Sequence, residues 1–158
     1  MICLNGYGFS ASLVFCSVSE AVTTMRTLAQ IIENRTPLIL PSNTTVREAC
    51  QRMRDQRMGA VLVSDRDRRL IGIFTGRDAI CRVLAEGRSP FETTLDEVMT
   101  RTPSSLAPKR TARDALRLMR DGGFRHVPVV QAHKAVGLVS RSDLMGMEID
   151  RLDEEVGP

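Results

Sequence analysis

A chain of 158 residues that is 42% hydrophobic and 26% charged has the balance of a globular protein able to bury a core. Its net charge of +3 comes almost wholly from Arg interleaved with Asp and Glu, as in Asp65-Arg66-Asp67-Arg68-Arg69, a solvated pattern that speaks against a polynucleotide surface. With 4% aromatics and no Trp, aliphatic residues and 8 Met must fill the core, and no run reaches the roughly 20 apolar positions of a membrane span.

In chain order, residues 1–24 are apolar, lack the basic start of a secretory signal and have no counterpart later in the sequence. They read as an extension. Regular patterning begins near Met25. Thr45 caps a helix on which Val46, Ala49, Cys50 and Met53 fall at i, i+3, i+4 and i+7. Residues 60–63 and 70–74 are short and β-branched around a charged turn, which predicts a hairpin. Thr75 then opens a helix that ends at Gly87, residues 87–94 form a link, and residues 95–100 form a short helix.

The same order then returns. Thr111 caps a helix with Ala112, Ala115, Leu116 and Met119 on one face. Residues 127–130 and 135–139 predict a second hairpin, and Ser140 opens a last helix. An internal repeat of strand-helix-strand-strand-helix units therefore organises the chain. Its divisions are an extension at 1–24, a first unit at 25–87, a second at 88–150 and a tail at 151–158. The fold class is α/β (α+β).

Cys3, Cys16, Cys50 and Cys81 show no CxxC spacing. Cys50 and Cys81 lie at apolar helical positions and read as buried free thiols in a reducing, cytoplasmic setting. His126 and His133 are too few for a metal centre, so none is expected.

The sharpest feature is Gly-h-h-[Thr/Ser]-x-x-Asp, with h apolar. It occurs as Gly72-Ile73-Phe74-Thr75-Gly76-Arg77-Asp78 and as Gly137-Leu138-Val139-Ser140-Arg141-Ser142-Asp143. Either copy alone describes a capping box, in which hydroxyl and carboxylate satisfy orphan helix N–H groups. Two copies in matching positions point further. A carboxylate in the first turn accepts from both hydroxyls of a ribose, and a helix N-terminus suits a phosphate.

These motifs resemble a CBS-domain pair, or Bateman module. So do residues 59–63, Phe124-Arg125-His126-Val127-Pro128-Val129 and the linker Leu95-Asp96-Glu97-Val98-Met99-Thr100. The resemblance implies two βαββα CBS units packed through their sheets about a pseudo-twofold axis, leaving two clefts. It implies an adenine nucleotide as ligand (AMP, ADP or ATP, with NAD and S-adenosylmethionine as further members) and no required cofactor. Thr75, Asp78, Ser140 and Asp143 inherit the ribose. Groups near Ala60, Val61, Val127 and Pro128 inherit the adenine, flanked by opening strands at Thr36-Pro37 and Thr102-Pro103. Arg77, Arg125, His126 and Arg141 inherit the phosphate. A homodimer through Ile80, Val83, Leu84, Leu144 and Met145 is implied as well.

No nucleophile-base pair, metal cluster or P-loop accompanies these features, so the chain reads as a regulator and not an enzyme. Its length leaves no room for a catalytic domain, which predicts a stand-alone sensor that signals to an effector protein in trans, away from membranes. Two rival readings are a nucleic-acid-binding protein, drawing on the basic stretch 101–125, and a ligand-free dimerisation module. A steep salt dependence would mark the first of these.

Overall fold

The computed structural model describes residues 26–145; the extension at 1–24, with Cys3 and Cys16, and the tail at 151–158 lie outside the described residues. The first half contains α1 (Leu28–Ile32), β1 (Ile39–Pro41), α2 (Val46–Asp55), β2 (Ala60–Ser64) and β3 (Leu70–Thr75). A short α3 (Gly76–Asp78) follows and widens into π-helical turns at Ala79–Leu84. The second half contains α4 (Leu95–Val98), β4 (Thr100–Arg101), α5 (Ala112–Gly122), β5 (His126–Gln131) and β6 (Lys134–Ser140), and residues 141–145 turn back into helix.

Local sequence explains the helices. Thr45 and Thr111 accept at Oγ1 from the N–H groups of Glu48 and Asp114, satisfying donors that have no partner inside the helix. The predicted apolar faces turn inward, with Val46, Ala49 and Met53 buried on α2 and Ala115 and Met119 on α5. Gly123, at φ 68°, ends α5 in the left-handed conformation and donates its N–H to the Met119 carbonyl.

One sheet has the order β1-β2-β3-β4, and a second pairs β5 with β6. The opening strands differ from expectation. β1 begins at Ile39 and runs parallel to β2, so Thr36 and Pro37 lie ahead of it in irregular backbone. In the second half the equivalent strand shrinks to one parallel bridge between Leu106 and Val129. Pro103, Ser104 and Ser105 have little strand preference, which leaves Leu106 alone to pair.

The two hairpins face one another through Ala60, Leu62 and Ile73, with Ala135 and Leu138 packed against them. Arg69 and Lys134 form an antiparallel bridge at one edge. These contacts give the two-unit, sheet-to-sheet arrangement that the resemblance implies.

The covalent halves are not the packing halves. Leu28 and Ile32 of α1 join Ala115, Met119, Val127 and Leu144 in the second core, and Thr27 bridges Thr111. Leu95 and Val98 of α4 join Leu40, Ala49, Phe74 and Val83 in the first core, and Thr45 bridges Thr94. Each leading helix thus completes the core of the other unit.

The repeated motif glycine marks where that exchange occurs. A Cβ on Gly137 would lie 2.5 Å from Ile32 Cδ1 and 2.8 Å from its Cγ2, and a Cβ on Gly72 would strike the Met99 sulfur. Because Ile32 is branched and buried, it has little room to yield. Gly137→Ala is therefore expected to cost about 1–3 kcal/mol through overpacking. That lowers Tm by roughly 3–10 °C. An unchanged Tm in calorimetry would show that α1 does not hold this contact in solution.

Three expectations about exposure are corrected. Val83 (4% exposed) and Leu144 (2% exposed) are core residues, because α4 and α1 respectively pack over them; Ile80 (61%), Leu84 (76%) and Met145 (50%) do face solvent. Cys81 is exposed as well, lying on the outer side of the π-helical turns, while Cys50 is half-buried. Helical periodicity identifies an apolar face but not which neighbour covers it.

Candidate functional site

The antiparallel register places each motif hydroxyl opposite the first residue of the preceding strand. Thr75 pairs with Ala60, and Ser140 pairs with His126. The Asp then folds back on that hydroxyl. Asp78 Oδ2 accepts from the Thr75 N–H at 2.9 Å and hydroxyl at 2.6 Å; Asp143 Oδ2 accepts from the Ser140 N–H at 2.7 Å and hydroxyl at 2.6 Å. Both copies are thus true capping boxes, and each leaves Oδ1 turned away from the box.

Around the second copy, a cleft of about 420 Å³ opens between the halves. Arg35, Thr36 and Pro37 line one side, Gln56, Arg57, Met58 and Gly59 another, and His126, Leu138, Ser140, Ser142 and Asp143 the third. Its volume falls within the roughly 300–1,000 Å³ typical of small-molecule sites. Gly59 brings backbone close to the imidazole, since a Cβ there would sit 3.2 Å from His126 Nε2.

Two perturbed titratable groups meet in this cleft. Burial alone pushes the Asp143 carboxyl up, but the bonds from Ser140 and the Arg35 ion pair outweigh it and hold the group below the usual carboxylate range. Burial pushes the His126 imidazole below the usual histidine value, against the pull of Asp143. The pair therefore presents a carboxylate beside a neutral ring at pH 7.

The cleft unites five sequence-predicted residues: Thr36, Pro37, His126, Ser140 and Asp143. Ala60, Val61, Val127 and Pro128 are fully buried and do not line this cleft. Arg77, Arg125 and Arg141 are exposed and do not line this cleft. Thr75 ends β3, the counterpart of β6, which β4 borders, and Asp78 follows in α3; Thr102 and Pro103 come after β4, and the Thr102 N–H donates to the Ile71 carbonyl at 3.0 Å.

Two cleft cations escaped the sequence reading, Arg35 and Arg57. Arg35 had a signal, for Arg35-Thr36-Pro37 returns as Arg101-Thr102-Pro103. Arg57 adopts φ 54°, a left-handed conformation that Gly123 occupies in the repeat position. A non-glycine residue retains such backbone at a cost of roughly 1–2 kcal/mol, and such outliers gather at binding sites.

This architecture is a duplicated βαββα unit with a ligand-sized cleft built across the duplication. The chain belongs to the CBS domain family, which it matches over residues 28–84 and 95–149. A CBS domain-containing protein of Arabidopsis thaliana is 38% identical over 117 residues, covering 74% of this chain and 21% of the plant protein. The chain thus spans about a fifth of the length of the first curated relatives it matches. A Burkholderia ambifaria protein with CBS domains superposes with a TM-score of 0.74 at 32% identity, covering 79% of this chain and 95% of the other. The fold is shared as well with a CBS domain protein of Pyrobaculum aerophilum solved with AMP, at TM-score 0.73 and 24% identity, covering 84% and 100%. Among the described residues, no helix is long and apolar enough to cross a membrane, and no group of three metal-ligating side chains gathers.

Proposed function

We infer that this chain is a regulatory module that binds an adenine nucleotide in the cleft around Asp143. It carries out no catalysis, forms a homodimer in the cytoplasm and passes ligand occupancy to an effector protein. The carrying observation is the convergence of Asp143 and Ser140 from one unit with Thr36, Pro37 and Gly59 from the other. A ligand held there touches both halves, so occupancy alters how they sit together. The AMP bound by the Pyrobaculum protein of the same fold supports an adenylate. The exposed Ile80, Leu84 and Met145 supply apolar area for self-association.

Thermal shift against AMP, ADP, ATP, NAD and S-adenosylmethionine tests the reading. A ligand at one hundred times its Kd stabilises by about 2.7 kcal/mol. A chain of this size should then melt on the order of 5–10 °C higher. Absence of any shift at millimolar ligand would leave the module as a ligand-free dimeriser.

A further inference from the structure

The carboxylate expected to hold ribose is already engaged. Asp143 Oδ2 takes two donors from Ser140, and Oδ1 is ion-paired with Arg35 Nη1. A carboxylate offers about four acceptor positions. Three are therefore in use, while the vicinal hydroxyls of a ribose need two. Arg35 reaches Asp143 from the stretch before β1, across the junction of the halves, and its side chain is 53% exposed and so able to turn.

The first motif is wired differently. Asp78 Oδ1 faces Arg82 Nε at 3.4 Å on its own helix, and the Arg82 head is anchored by donating to the Val98 carbonyl at 2.8 Å. Arg101, the repeat counterpart of Arg35, instead donates to the Asp96 carboxylate at 2.9 Å and to the Asp96 carbonyl at 2.9 Å. Among the described residues, only the Asp143 copy of the motif is paired by an Arg from the other half.

We propose that Arg35 is the specificity-determining residue of the Asp143 cleft, selecting ligands that carry phosphate on the 5′ carbon of the ribose. The ribose hydroxyls displace the guanidinium from Oδ1, and Arg35 then requires another acceptor. A 5′-phosphate supplies one, and Arg57 on the neighbouring wall adds a second cation to the same anion. Adenosine displaces Arg35 and offers nothing in return. S-adenosylmethionine places a sulfonium cation on that same carbon, facing two guanidiniums. The cleft thus favours AMP, ADP and ATP over both.

This inference rests on the nucleotide reading of the cleft, and calorimetry with AMP, adenosine and S-adenosylmethionine separates the two. The wild-type chain is expected to bind AMP at least tenfold more tightly than adenosine. Arg35→Ala should weaken AMP on the order of tenfold while adenosine and S-adenosylmethionine bind as well as before or better, so that the preference collapses. Arg35→Lys, which keeps the charge, should keep most of the preference and guards against a folding defect in the alanine variant. Equal losses for AMP and adenosine, or unchanged AMP affinity, would overturn the selector role while leaving the nucleotide reading intact. A wild-type chain that binds none of the three would overturn both.

Discussion

Replacing Asp143 with Ala should reduce adenine nucleotide affinity at least tenfold in calorimetry, more than any other single change in the cleft. The side chain is 20% exposed, so its charge-assisted bonds to a ribose would be poorly matched by water. Such bonds are worth roughly 1.5–3 kcal/mol. The same change removes a cap, which costs about 0.5–2 kcal/mol of stability. Asp143→Asn separates these effects: its amide oxygen still accepts the Ser140 N–H, while the charge is lost. Weak binding with a near-normal Tm in the Asn variant marks a ligand contact. Normal binding in both variants would reduce Asp143 to a cap.

Leu28→Ala should produce the largest loss of stability. Leu28 is fully buried in the second core, yet it belongs to the first helix of the described chain. Large-to-small changes at such sites cost roughly 2–5 kcal/mol, because the cavity closes only in part. At this chain length the Tm should fall by about 6–15 °C. Since α1 and α4 are exchanged between the cores, the protein should still melt in one calorimetric transition. Two resolved transitions, only one of them affected by the change, would contradict that coupling.

Much of this was legible in the sequence because it is local. The capping residues Thr45, Thr75, Thr111 and Ser140 satisfy neighbours three positions away, and the apolar faces of α2 and α5 follow from spacing alone. The mixed-sign clusters were legible for the same reason, since Arg52 pairs with Glu48 and Arg117 with Asp121 one helical turn apart. The unread features all involve residues far apart in the chain. Nothing near Val83 or Leu144 says that α4 and α1 will cover them. Arg35 and Asp143 are separated by most of the described chain, and only the returning Arg-Thr-Pro tripeptide hinted that the position matters. The two capping boxes look equivalent in sequence; different Arg partners make them inequivalent.

The exchanged helices impose an order on synthesis. The first core draws on residues 38–99, a continuous stretch that can close soon after α4 leaves the ribosome. The second cannot. Its Leu28 and Ile32 emerge early, but Ala115, Met119 and Val127 follow about half the chain later. At translation rates of about 5–20 residues per second, α1 must wait several seconds, with its apolar face open to water or to the wrong partner. Mistakes in making this protein should therefore concentrate on the first helix, where a premature contact between nascent chains competes with a correct one not yet made.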